Sequence, residues 1–164
     1  MYTFSKQLRR LMTAMDHSPQ ATAQISGSPA YPSIKGIVRF YQTELGVLVV
    51  ADIAGLPMSN NVCDSPIFAF HIHSGTSCTG TPEDPFAAAM AHYNPDNCPH
   101  PYHAGDMPPL FGNDGFAFGA FVTDRFAVDE IVGRTVIIHD KPDDFTSQPS
   151  GNSGTKIACG VIRR

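Results

Sequence analysis

The chain has 164 residues, a length that suits one domain with a tail, able to bury about 70% of its unfolded surface without staples. Charged residues make up 16% and hydrophobic residues 42%, which argues against a disordered chain, a coiled coil or an all-helical bundle. The net charge of −4, from 11 Lys+Arg against 15 Asp+Glu, leaves no basic excess for nucleic acid and speaks against an anionic membrane surface.

Residues 1–19 read as an N-terminal appendage with a short amphipathic helix that ends near Ser18-Pro19. Its basic cluster, Lys6, Arg9 and Arg10, is followed by Leu11-Met12-Thr13-Ala14-Met15, too short for a signal-peptide core of ~7–15 residues. No apolar run approaches the ~20 residues that span a bilayer. The expectation is a cytoplasmic protein, secreted or periplasmic if a leader has been trimmed. Residues 20–164 read as one β-rich domain. Gly 14 and Pro 14 supply many turns. Strands are predicted at about 21–26, 34–42, 46–54, 67–73, 115–123, 135–141 and 155–162. The link Thr43-Glu44-Leu45-Gly46 folds the second and third into a hairpin. Phe116 and Phe118 share one face of their strand, and Phe121 takes the other unless Gly119 marks a bulge. Between residues 74 and 114 the periodicity disappears, apart from a brief helical possibility at 85–91. A second loop runs from Lys141 to Gly154. Long ordered loops in a compact domain are usually functional. The predicted architecture is all-β, a β-sandwich or barrel carrying two long loops.

Chemistry concentrates in the histidines. His17 lies in the appendage and reads as a surface residue. The other six are His71, His73, His92, His100, His103 and His139. His71 and His73 flank Ile72 at a strand end, so both imidazoles project from one face. His139 closes another apolar strand. His92, His100, His103 and Asp106 share the long loop. Imidazole suits copper and zinc alike, and three His plus one carboxylate complete a tetrahedral zinc set.

The segments Phe70-His71-Ile72-His73, Ala91-His92-Tyr93-Asn94-Pro95, His103-Ala104-Gly105-Asp106 and Val132-Gly133-Arg134-Thr135-Val136-Ile137-Ile138-His139 occur in that order. Asp143-Asp144 and the tail from Gly151 through Cys159 to Ile162 follow. Together they resemble the copper-zinc superoxide dismutase family, in its bacterial type, over roughly residues 34–162. The resemblance implies a Greek-key β-barrel of about eight strands with an immunoglobulin-like layout. It implies copper held by His71, His73, His92 and His139, and zinc held by His92, His100, His103 and Asp106. His92 would bridge the two ions, and Asp143 would link a copper ligand to a zinc ligand. The implied activity is conversion of superoxide to oxygen and hydrogen peroxide by Cu(II)/Cu(I) cycling, with zinc as a structural anchor. In that cycle the His92 ring would leave copper and take up a proton. The implied assembly is a monomer or homodimer.

Two departures from the family pattern stand out. Lys156 occupies the position where the family carries an arginine over the copper channel. It keeps the charge and loses the planar donor fork, so weaker anion positioning is expected. The gap between His100 and His103, Pro101-Tyr102, is shorter than is familiar, and Cys98 lies close enough in sequence to compete for zinc.

The four cysteines, Cys63, Cys78, Cys98 and Cys159, allow three pairings and show no CxxC spacing. The resemblance implies a Cys78–Cys159 disulfide. Cys63 and Cys98 then form a second bridge or remain reduced, with the bridge favoured by the even remainder. The competing function is a non-catalytic copper-binding or copper-chaperone module on the same scaffold. Every ligand position is filled and no separate cysteine-rich copper motif exists, which favours the enzyme. Gly151-Asn152-Ser153-Gly154-Thr155 misses the GxSxG nucleophile pattern at its last position.

Overall fold

A computed structural model describes residues 5–61 and 66–164. Eight strands dominate: β1 (Ala21–Gly27), β2 (Lys35–Thr43), β3 (Gly46–Ala54), β4 (Ile67–His73), β5 (Asp106–Phe111), β6 (Phe116–Thr123), β7 (Thr135–His139) and β8 (Lys156–Arg163). They form one antiparallel sheet in the order β5-β4-β7-β8-β1-β2-β3-β6. Its ends nearly meet: a Cβ built on Gly119 of β6 would lie 3.4 Å from Leu110 of β5. The result is a nearly closed Greek-key barrel. Two helices accompany it, α1 (Lys6–Met15) and the one-turn α2 (Val128–Ile131). No helix among the described residues is long and apolar enough to cross a membrane.

The barrel interior follows from strand alternation. Phe40, Val49, Ile53, Phe68, Phe70, Ile72, Val136, Ile138 and Ile162 are buried in one cluster. On β6 the pairing with β3 runs without a bulge, so Phe116 and Phe118 face outward, 41% and 60% exposed, while Phe121 packs against the core. The β2–β3 turn closes through Gly46, whose φ of +113 lies in the region that favours glycine. α1 lays Leu11 and Ala14 on Tyr41, Leu48 and Val50.

β5 is the strand that the sequence reading places inside a structureless loop. Its core, Asp-Met-Pro-Pro-Leu-Phe, has no clean alternation. Phe70 pairs with Met107 and Phe68 with Leu110, so Pro108 and Pro109 together oppose Ala69. Proline cannot donate to a ladder and is tolerated at bulges and sheet edges, and β5 is both bulged and terminal. α2 is likewise too short to leave a periodic signal. Within the 85–91 stretch, Ala87–Ala89 forms a 3-10 turn.

β4, β7 and β8 are buried on both faces. Their outer face is roofed by the loop after β4: Phe86 and Ala89 pack on Ile137 and Cys159, with Cys78 beside them. Cys78 and Cys159 form a disulfide across 81 residues of sequence. The second expected pair falls on Cys63, which lies outside the described residues. Cys98 is half-buried and has no bridge among the described residues. A closed loop of this span stabilises by roughly 4–5 kcal/mol in the chain-entropy account. Replacing Cys78 and Cys159 together by serine is expected to lower unfolding stability by about that amount. Urea denaturation of the metal-free protein checks it, and an unchanged midpoint would mean that the roof holds without its staple.

Candidate metal centre

The site forms between the barrel's outer wall and its two loops. Because β4 alternates, Phe68, Phe70 and Ile72 enter the core while His71 and His73 leave from the opposite face. Both are almost fully buried, at 0% and 2% exposure. On β7 the same alternation sends Val136 and Ile138 inward and His139 outward. A bulge follows at once: Ile138 pairs with Ala158 but His139 pairs with Lys156, leaving Ile157 as the extra residue. Directly opposed residues share a face, so Lys156 stands on the same side as His139.

The first loop is carried back to β4 by main-chain bonds. Tyr93 donates to Ile72, Ile72 to Gly105 and Gly105 to Tyr93. His92 thereby forms a bridge pair with His73. Asp106 opens β5 directly opposite His71. Arg125 secures the turn between them, one guanidinium nitrogen donating to the carbonyls of Pro101 (3.0 Å), His103 (3.3 Å) and Asp106 (3.2 Å). Gln148 of the second loop accepts from the His100 amide and donates to its carbonyl, at 3.0 and 2.6 Å.

These constraints gather two groups of donor atoms, each with all members within 4.8 Å of one another: His71, His73, His92 and His139; and His92, His100, His103 and Asp106. His92 stands in both. Every one of these residues is buried. Cys98 is in neither group, and its main chain is held by the Asn94 side chain. His100 joins the second group despite the short gap to His103.

The far ring nitrogens of His71, His73, His100 and His139 each face an acceptor, which orients those rings. His71 Nε2 donates to Asp143 Oδ2 at 2.7 Å and His100 Nε2 to Asp143 Oδ1 at 2.9 Å. One carboxylate thus spans the two groups. His73 Nδ1 donates to the Met90 carbonyl at 2.7 Å, and His139 Nδ1 faces the Gly154 carbonyl at 3.5 Å. The remaining nitrogens converge. His73 Nε2 and His139 Nε2 lie 3.4 Å apart, as do His92 Nδ1 and His103 Nδ1. His92 Nδ1 donates to Asp106 Oδ1 at 2.7 Å. His71 Nδ1, His92 Nε2 and His100 Nδ1 are buried without a hydrogen-bond partner. His100 Nδ1 lies 3.0 Å from Asp106 Oδ2 but out of line for a bond. Buried polar atoms are normally satisfied, so this set is fitted to an added positive centre.

Gly151 completes the arrangement. Its φ is +67, and any Cβ there would strike Asp143 Oδ1. The Asp143 carboxylate therefore sits where only glycine leaves room.

Burial, the main cause in each case, pushes His71 and His103 below the ordinary imidazole value and His73 well below it. Burial, helped by the neighbouring His71 and His92, brings His139 down to about 3. These four imidazoles are thus uncharged at neutral pH. For Asp143, burial opposes ionisation, but hydrogen bonds from His71, the Phe145 amide and His100 outweigh it and hold the carboxyl at about 2. Asp106 is also held below its ordinary value, burial being outweighed by the His92 hydrogen bond and nearby imidazoles.

Lys156 Nζ donates to Asp84 Oδ2 at 2.7 Å and to the Phe86 carbonyl at 3.3 Å. Asp84, Arg125 and Gln148 belong to no motif in the sequence. Their partners lie 72, 19 to 24, and 48 residues away, beyond the reach of any spacing argument.

Residues 34–162 match the family described as copper/zinc superoxide dismutase (SODC). Superoxide dismutase (Cu-Zn) 2 of Aquifex aeolicus is 34% identical over 143 residues, covering 78% of this chain and 78% of that protein. The Legionella pneumophila superoxide dismutase (Cu-Zn) is 30% identical over 161 residues, covering 93% of each chain. Among solved structures, a double mutant of a SOD-like protein from Bacillus subtilis superposes with a TM-score of 0.71 at 26% identity. That match covers 87% of this chain and 97% of the other. With the motifs, the barrel and the two joined donor groups in agreement, the chain belongs to the copper/zinc superoxide dismutase family.

Proposed function

We propose that this protein converts superoxide to oxygen and hydrogen peroxide. His71, His73, His92 and His139 hold copper, and His92, His100, His103 and Asp106 hold zinc. The observation that carries this reading is the single ring of His92, shared by two buried donor groups, with its Nε2 left unpartnered. Copper, when bound, supplies the one-electron Cu(II)/Cu(I) cycle that dismutation needs and that zinc cannot provide.

The chain's own residues supply the rest. Two superoxide anions and two protons give one oxygen and one peroxide. His92 Nε2 takes up a proton and returns it, while its Nδ1 keeps the ring aligned on the zinc side. His73 and His139 present Nε2, because their Nδ1 atoms face main-chain carbonyls. Asp143 fixes the tautomers of His71 and His100 together, as such outer partners commonly do. Lys156, beside His139 on the β7–β8 face, is the cation that attracts the anionic substrate.

Loading the purified protein with copper and zinc is expected to give rapid superoxide loss. His139→Ala is expected to abolish it while zinc content is retained. Stoichiometric copper in the parent protein without turnover would instead indicate a copper-carrying module. Asp143→Ala is expected to weaken metal retention at both sites by about 10–100-fold, read by chelator competition. Loss at one site alone would refute the shared role of the carboxylate. Lys156→Arg is expected to raise kcat/KM, since the planar fork positions an anion better, and no rise would refute that assignment.

The pH dependence of the metal-free protein follows from the depressed imidazoles. Each binds fewer protons folded than unfolded, so its contribution is complete above about pH 6.5 and declines on acidification. For His139 the decline runs from 6.5 to about 3. Each such group adds a slope of about 1.4 kcal/mol per pH unit within its window. Urea denaturation at about pH 7 and about pH 4.5 is expected to show markedly lower stability at the acid end. Bound metal suppresses the loss, because protons then compete with ions for the same nitrogens. Equal stability of the metal-free protein at both values would contradict the buried, uncharged state of His71, His73, His103 and His139.

A further inference from the structure

The cation beside the site does not stand alone. Lys156 is mostly buried, its side chain 17% exposed, and its ammonium meets a carboxylate and a carbonyl from the same loop. Asp84 is itself built in. Its amide donates to Thr81 Oγ1, its carbonyl accepts from Thr81 and Ala87, and its Oδ1 accepts from the Phe86 amide. The turn that carries it is roofed onto Ile137 and Cys159 through Phe86 and Ala89. Asp84 Oδ1 is therefore occupied by its own turn, and Oδ2 is the atom left to face the ammonium.

We propose that Asp84 is a positioning residue that pins the Lys156 ammonium to the first loop and attenuates its pull on the incoming anion. This rests on the reading of Lys156 as the cation that attracts substrate. The physical reason is elementary. An isolated ammonium attracts an anion as a point charge, whereas an ammonium with a carboxylate 2.7 Å away acts as a dipole, whose field falls off faster. The carboxylate also repels the approaching anion directly. Asp84 is 45% exposed at its side chain, so solvent and salt weaken both effects without removing them.

Asp84→Asn isolates the charge: its one amide oxygen still caps the Phe86 amide, and its NH2 replaces Oδ2 and offers the Lys156 ammonium neither charge nor acceptor. The probe is azide, titrated against the copper-and-zinc-loaded protein and followed by the Cu(II) absorption band. Asp84→Asn is expected to tighten azide binding by about 3-fold at low ionic strength and to steepen the salt dependence of binding. Asp84→Glu, which keeps the charge, is expected to bind azide like the parent. In a Lys156→Met background the Asp84→Asn gain is expected to shrink to what direct repulsion alone gives, because the part that comes from releasing the ammonium is gone. Azide binding unchanged by Asp84→Asn would overturn the proposal. So would a gain of the same size in the Lys156→Met background, which would make Asp84 an independent repulsive charge. The titration needs only bound copper. A parent protein that binds azide but leaves superoxide untouched refutes the dismutase reading while the comparison of variants still decides the role of Asp84.

Discussion

The constraint on which the rest depends is that one imidazole, His92, serves two donor groups at once. Its Nδ1 bonds Asp106 Oδ1 within the second group and its Nε2 has no partner, so neither nitrogen reaches an acceptor outside the donor groups. His71, His73, His100 and His139 each use the far nitrogen to bond a carboxylate or face a carbonyl. His92 lacks that option, so its position comes from the backbone. The bridge pair with His73 and the main-chain bonds among Ile72, Tyr93 and Gly105 fix its Cα against the end of β4. The ring is placed by the wall of the barrel and by Asp106, itself a member of the second group.

The barrel and the loops divide the work by stiffness. β4 and β7 supply His71, His73 and His139 from a sheet packed on both faces. The loops supply His92, His100, His103 and Asp143, and loops are held only by what ties them down. Here the ties are specific: the disulfide at one end of the first loop, Arg125 on the carbonyls of its zinc-side turn, and Gln148 joining the second loop to His100. Asp143 binds both groups through one carboxylate, and Gly151 leaves the space for it. A change in either loop is therefore transmitted to both donor groups. Burying imidazole nitrogens without hydrogen-bond partners costs free energy, which a bound ion offsets.

What the sequence reveals depends on the range of the interaction. Alternation within a strand is local, so the long apolar runs of β2, β3 and β4 are legible, as is the shared face of His71 and His73. The outward pair Phe116 and Phe118 follows from the same period. β5 is illegible because Pro108 and Pro109 break the period, and only the pairing with β4 reveals that they occupy a bulge. That six histidines fall on two strand ends and one loop is visible in the sequence; which of their nitrogens converge is not, because that depends on how the loop returns to β4. Arg125, Gln148 and Asp84 carry no local signature at all. An arginine or aspartate in a loop is ordinarily a solvated charge, and only the fold shows what each one meets.

The position of Lys156 shows why net charge is a poor guide to an anion's route. The protein carries −4 overall, so the mean field repels superoxide, and capture depends on the local arrangement of charges. That arrangement is set by a β-bulge. In a regular, unbulged pairing Ile157 would oppose His139 and Lys156 would fall on the other face. The bulge puts the cation beside the donor group, and the loop above it returns a carboxylate to meet that cation. On the roles proposed for Lys156 and Asp84, the loop that delivers His92 also sets how much of the lysine's charge an approaching anion feels. Donor geometry and anion attraction would then be coupled through one segment of chain, anchored to β8 at Cys159.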